Sequence, residues 1–347
     1  MTKTTRYFVS GAAAVLVTGL CTGLVAYYGG IPTGAFNAAT GPADLAYLPA
    51  DSAVVAHANV SDVMGSDLRQ KLRAVMPEGP ESQGQAEFKE QTGIDIEQDI
   101  EAVTSAVVSG EQAGPHKMGG LLVLRGRFDA GRLEALAREK GADAENYKGA
   151  RLVTMTRKAD ADAEGDAAQP GDHVSFTGAA AFAEPGVIIL GNVEQVRAAI
   201  DRKASGQNLT TNADMMNRIS AVDNGANAWA VGRFDAIAAQ AKLPEQVAAQ
   251  IPPVAWFSAA GHINGGVTAT LRAEARDDEA AKNLRDVLNG FMALAKLQAG
   301  SNPEIQAIAQ SLALGGSGKN VEVSFTLPSE LFDLLIAKHQ AEKNKAL

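Results

Sequence analysis

"GRFDA" occurs at Gly126–Ala130 and again, identically, at Gly232–Ala236. In both copies an apolar strand pattern precedes it, Gly120–Arg125 and Ala228–Val231, and a helical pattern follows. The Gly and Arg leave the strand, the Phe packs under the incoming helix, and Asp129 or Asp235 stands where an N-cap belongs. The pentapeptide therefore reads as a strand-to-helix corner of a duplicated unit rather than an active-site signature. Superposing the two halves on Gly126 and Gly232 is expected to align the preceding strands.

The same grammar extends outward from both copies. Ser52–Val60 alternates as a strand, with Ser61 or Asp62 as the cap of the helix that follows. Asp95 and Gln98 have capping-box spacing, and so do Asn192 and Gln195. Ser105–Ser109 with Gly120–Arg125, then Arg151–Thr156, Val174–Phe182 and Val187–Leu190, read as strands. In "GRLEALAREKG", Leu133, Leu136 and Ala137 share a face and Gly141 closes the helix. Asn264-Gly265-Gly266 between Val254–Ile263 and Val267–Ala275 is a hairpin signal, because a type I′ turn needs positive φ at its centre. Asp277 caps a long helix carrying Leu284, Val287, Leu288, Phe291 and Ala295 on one face. Val321–Leu327 is a late strand, and Pro328-Ser329-Glu330 opens a final helix.

Strands and helices alternate, but hairpins intervene. The expected class is α+β: two similar α/β-sandwich units, 47–210 and 211–347, each a mostly antiparallel sheet with helices on one face. Apolar residues make up 46% of the chain and aromatics 5%, so the core must rest on Val, Leu, Ile and Ala.

Ahead of these units, Phe8–Tyr28 runs without a charge, long enough to cross a bilayer as a helix. It ends in Tyr27-Tyr28, residues suited to a membrane interface, and no cleavage site follows. Lys3 and Arg6 precede it, which places the N-terminus in the cytoplasm and the chain beyond Gly30 outside. Residues 1–30 are thus a cytoplasmic tip and transmembrane anchor, and 31–46 a tether. Gly19 and Gly23 fit the small-xxx-small pattern by which membrane helices dimerise, although such residues are common in membrane helices generally. Cys21 is the sole cysteine, so one chain holds neither a disulfide nor a thiolate metal site. Thr18 and Leu20 do not suit a lipid-attachment site at Cys21. The net charge of −9 repels nucleic acid and anionic lipid head groups.

Four segments in order, "YLPADSAVVAHANV" (47–60), "TGIDIEQDI" (92–100), "NYKGARLV" (146–153) and "GQNLTTNADMMNRI" (206–219), resemble a bacterial family of membrane-anchored extracytoplasmic proteins of undefined function. The resemblance spans roughly residues 47–220. It implies an envelope location and a two-part ectodomain, and supplies no catalytic residues.

Complete catalytic motifs do not emerge. Asp160, Asp162, Glu164 and Gly165 match the first half of a calcium loop, but Gly171 stands where the bidentate Glu is due, so 160–166 reads as a solvated acidic loop. "GGSGKN" (315–320) lacks the first Gly and the final Ser or Thr of a phosphate loop and reads as a turn. His57, His116, His173, His262 and His339 show no paired metal spacing, and His57 and His262 lie in strand patterns as hydrogen-bonded or half-exposed residues. Neither G-x-S-x-G nor a strand-linked G-x-G-x-x-G is present. No catalytic, cofactor-binding or metal residue is assigned.

The leading expectation is a non-enzymatic, membrane-anchored binding or scaffold protein of the bacterial envelope, with an envelope protein as partner. One alternative is a carrier of an apolar, lipid-like ligand, walled by the Val254–Val267 hairpin with Trp256 and Phe257. Another is an envelope hydrolase with an unrecognised site, for which His173 near Asp160 or Asp172 would be the sign.

Overall fold

The computed structural model of the chain describes residues 42–69, 88–109, 118–157, 176–234, 253–263, 265–299, 303–330 and 333. Among the described residues twelve strands join in one antiparallel sheet: β1 (Val54–Asn59), β2 (Ile100–Ser109), β3 (Met118–Gly126), β4 (Asp143–Tyr147), β5 (Ala150–Arg157), β6 (Phe176–Glu184), β7 (Val187–Asn192), β8 (Ala228–Arg233), β9 (Val254–Ile263), β10 (Gly266–Ala275), β11 (Ala313–Gly315) and β12 (Asn320–Pro328). Their spatial order is β11-β12-β10-β9-β8-β1-β2-β3-β7-β6-β5-β4. The α+β class and antiparallel pairing agree with the sequence reading. The two separate sheets do not, because β1 and β8 pair with each other, Ala56 opposite Ala230 and His57 opposite Trp229.

Helices lie on both faces of this sheet, not on one as expected. Successive side chains of a strand point to opposite faces. One face carries Val55, Val123, Leu152, Ile189, Trp229 and Val231, packed under α4 (Val193–Ser205) and α5 (Ala213–Val222). The other carries Ala58, packed with Val60 of α1 (Val60–Met64), Ile94, and Phe128 and Leu133 at α3 (Ala130–Glu139). The physical reason is visible in "LLVL" and "VIIL", continuous apolar runs that bury both faces, where a half-exposed strand would alternate. Beyond β10, α6 (Asp278–Ala299) packs Ala280 and Ala281 on Ala275 and Val321, and α7 (Pro303–Ser311) follows.

Local signals hold closely. Asp95 caps the short α2 (Ile96–Asp99), although the reciprocal bond to its own amide comes from Asp99 at 2.8 Å and not from Gln98. Asp129 accepts from Arg132 N at 3.0 Å, Asn192 from Gln195 N at 2.8 Å and Asp277 from Ala280 N at 2.7 Å. The β9–β10 hairpin turns through Gly265 at φ 67°. At the first strand the cap is Asn59, not Ser61 or Asp62, because α1 starts at Val60. Asp129→Ala is expected to cost about 1 kcal/mol as a lost N-cap, read as a shift in denaturation midpoint.

The two GRFDA copies do not close equivalent strands. The first ends β3 and opens α3, from which the chain reaches the far edge at β4 and meanders back to β7. The second ends β8, between β9 and β1 in the sheet, and Asp235 and the segment after it lie outside the described residues. What the copies share is crowding at their glycines. A side chain at Gly126 would run into the backbone of Asp99 and Ile100. One at Gly232 would sit 2.8 Å from Phe257 and from Val54 and 3.0 Å from the Ala53 carbonyl. Gly232→Ala is expected to destabilise by about 1–3 kcal/mol through overpacking, measured by urea denaturation.

Candidate functional site

A shallow cleft of about 480 Å³ lies where β1 runs into α1, facing the β9–β10 turn. Asn227 builds it. The Asn227 carbonyl accepts from Asn59 N at 2.7 Å, its amide donates to the Gly261 carbonyl at 2.9 Å, and its side-chain oxygen accepts from Ile263 N at 2.5 Å. Its Nδ2 points to Asp62 Oδ2 at 3.4 Å. One residue thus ties together β1, α1 and β9, which come from both halves of the chain. Around it stand Ser61, Asp62, Ser66 and Asp67 from the first half and Ile263 and Gly265 from the second. The lining has two carboxylates and no Lys or Arg, and it is open to solvent on one side. Such a surface suits hydrogen-bond donors and cations on a partner.

A smaller cleft of about 170 Å³ lies between the end of α5 and the sheet, lined by Asn224, Ser258, His262, Thr270 and Arg272. The Nδ1 atom of His262 is buried there with no hydrogen-bond partner among the described residues. Arg272 is held by Glu322 at 2.6 Å, which neutralises the cleft's one cation. Neither cleft includes Trp256 or Phe257, the wall expected for an apolar ligand. The guanidinium of Arg218 lies 4.4 Å from the Trp256 ring centroid, and Arg218 also pairs with Glu274.

A third polar group is built around a buried carboxylate. Residues 42–52 cross the sheet as a strap that begins with the 3-10 turn Ala43–Tyr47. Asp44 is 1% exposed and is gripped by Arg125 through Nε at 3.1 Å and through Nη2. The Thr104 hydroxyl donates to Asp44 Oδ2 at 3.3 Å, and His57 Nδ1 meets the same hydroxyl at 2.9 Å. That hydroxyl has one proton, which goes to Asp44, so Nδ1 carries the proton of the second bond. The His57 ring tilts against Trp229 at 5.7 Å, and Trp229 Nε1 donates to Asp223 at 2.6 Å. Burial pushes His57 down to about 4, and Asp44 and Arg125 act on it with opposite signs. Burial raises the Asp223 carboxyl, partly offset by the indole bond. Burial beside Glu184 likewise raises the Tyr47 phenol.

Of the residues singled out in the sequence, His57 is the hydrogen-bonded strand histidine expected, and His262 lines the smaller cleft. The "GGSGKN" turn joins β11 to β12 with Gly316 and Gly318 at φ 87° and 54°. Its Gly318 and Asn320 carbonyls accept from Arg285 at 2.7 and 2.8 Å, the polarity opposite to a phosphate cradle. The acidic loop 160–166 with Asp160, Asp162 and Glu164, and His116, Asp172, His173 and His339, lie outside the described residues. So does Phe8–Tyr28 with Gly19 and Gly23; among the described residues no helix is long and apolar enough to cross a membrane. Asn227, Asp44 and Arg125 were not singled out. Only Asn227 had a local signal, as a polar residue directly before the apolar "AWAV".

No family model matches the chain, and no curated protein matches it in sequence. Among solved structures it is similar to the one described as "Structure of crystal form I of TP0453", with 8% identity and a TM-score of 0.42 over 86% of this chain and 98% of that one. At that level the likeness assigns no role to any residue here.

Proposed function

We propose that the chain is a single-pass, membrane-anchored scaffold of the bacterial envelope that binds a partner protein at the cleft between its halves and catalyses no reaction. The observation that carries this reading is the cleft itself: open, polar, acidic, and knitted from both halves by Asn227. The charge-free Phe8–Tyr28 run behind Lys3 and Arg6 supports the anchor and an extracytoplasmic ectodomain. A division near 210/211 fits the layout about the β1·β8 pair. From that pair β1-β2-β3 run outward one way and β8-β9-β10 the other, and the Asp-capped helices α3 and α6 follow β3 and β10. We read this as duplication of one unit, with the β1·β8 pair as its seam.

A photo-cross-linking residue placed at Asp67 in cells is expected to yield one discrete adduct, and the same residue at Lys148, far from the cleft, none. Equal labelling at both sites would contradict the assignment. Turnover of ester, amide or phosphate substrates by the purified chain would contradict the non-enzymatic part.

A further inference from the structure

We propose that the smaller cleft, between the end of α5 and the sheet, is a binding site for a single sugar ring, as a free monosaccharide or as one unit of a glycan. The strand register makes the hollow. Along β9 every second residue, Ser258, Ala260 and His262, points to the face that carries α5, and on β10 Arg272 is opposite Ser258 and Thr270 opposite Ala260. Trp229, buried under α5, stands opposite Ala260 on the other side. Ala260 contributes only a methyl group, so a depression opens between its two longer neighbours, and the end of α5 with Asn224 walls it. Ile263, one residue on, points to the opposite face and lines the larger cleft, so the two clefts lie back to back across the sheet.

The lining fits a neutral, hydroxylated ring better than an ion. The cleft holds about 170 Å³, smaller than the sites that take drug-sized ligands and suited to one ring. Ala221, Val222 and Ala260 give it an apolar patch that can cover the C–H face of a pyranose. Around that patch stand polar side chains with bonding capacity to spare. No hydrogen bond among the described residues uses the side chains of Asn224, Ser258 or Thr270, and His262 Nδ1 is buried without one. Hydroxyls, an amide and a neutral imidazole each offer both a donor and an acceptor, as the hydroxyls of a sugar require. A buried nitrogen left unpaired costs free energy, which a ligand hydroxyl at that position offsets. An ion has less to meet. Arg272 is held by Glu322 at 2.6 Å, so an anion would have to displace a carboxylate. Among the described residues no carboxylate lines the cleft to attract a cation.

Saturation-transfer NMR of the full chain, in a detergent without a sugar head group, tests the site with glucose, galactose, mannose and N-acetylglucosamine. At least one is expected to receive saturation with a dissociation constant of roughly 1 mM, the scale for a ligand of about a dozen non-hydrogen atoms. Ring signals of His262, assigned through His262→Gln, should shift with the same midpoint in the native chain. Thr270→Val keeps the shape and removes one hydroxyl, so it should weaken binding about fivefold. Ala260→Leu fills the depression and should abolish binding; if that variant does not fold, the His262 shifts in the native chain still locate the ligand. Saturation of none of the four sugars, or sugar binding that leaves His262 unmoved or Thr270→Val unweakened, would overturn the proposal. So would sulfate that shifts His262 more strongly than any sugar at equal concentration, the mark of an anion site. A cross-linker at Asp67 that captures nothing would count against the partner reading and leave the sugar site standing, because the two lie on opposite faces.

Discussion

Replacing Arg125 by Met is expected to lower stability by about 3–5 kcal/mol, because it removes one partner of a buried ion pair. Asp44 is 1% exposed, and among the described residues its other side-chain partner is the Thr104 hydroxyl at 3.3 Å. Asp44→Leu combined with Arg125→Met should recover most of the loss, since an apolar pair of similar volume removes the charge and its desolvation together. Urea denaturation of the full chain in detergent at pH 7 reads both. A single variant within 1 kcal/mol of the native chain (roughly the value of an exposed pair) would mean that the strap does not enclose Asp44.

Trp229→Ala should be comparably severe, about 3–5 kcal/mol, as expected when a large core aromatic is truncated to a methyl group. Trp229 is 1% exposed and, among the described residues, the largest fully buried side chain. It stands opposite His57 across the β1·β8 pair and shares a cluster with Val55 and Leu121 of the first half and Val231 of the second. Truncation also removes the indole donor from Asp223, 2.6 Å away, leaving a carboxyl that burial already keeps above its usual range. Trp229→Phe retains much of the volume and forfeits the hydrogen bond, so its cost should be smaller, about 1–2 kcal/mol. Because the residue sits at the seam, probes in both halves should lose their midpoint together. Loss confined to residues beyond 228 would mean that the halves fold separately.

Local chemistry explains which of these features the sequence disclosed. Helix starts were legible because an Asx side chain that satisfies exposed amides is a one-residue signal: Asp95, Asp129, Asn192 and Asp277 all cap. The Asn-Gly hairpin was legible because its turn needs a positive φ, which Gly265 adopts at 67°. β4 was missed because "DAENY" is an edge strand, and edges are guarded with charge that erases the apolar alternation. The joining of the two sheets was invisible because β1·β8 pairing unites segments distant in sequence, with no turn to announce it. The Asp44–Arg125–Thr104–His57 chain was invisible likewise, drawn from the strap and three strands. GRFDA misled in one respect: a corner favourable in one place is favourable in another, so its recurrence marks a local solution and not an equivalent position.

The β1·β8 seam makes one platform of two halves and shapes the cleft. Its most direct test is a cross-link across that seam. Ala56 and Ala230 face each other in the pair, and directly opposed residues of antiparallel strands have Cα atoms about 4.5–5.5 Å apart, within reach of a disulfide. In a chain with Cys21→Ser, the double variant Ala56→Cys/Ala230→Cys should close an intrachain disulfide on mild oxidation, and Ala56→Cys/Ala228→Cys should not. A folded chain that leaves the first pair reduced, or links it only between molecules, would contradict the account.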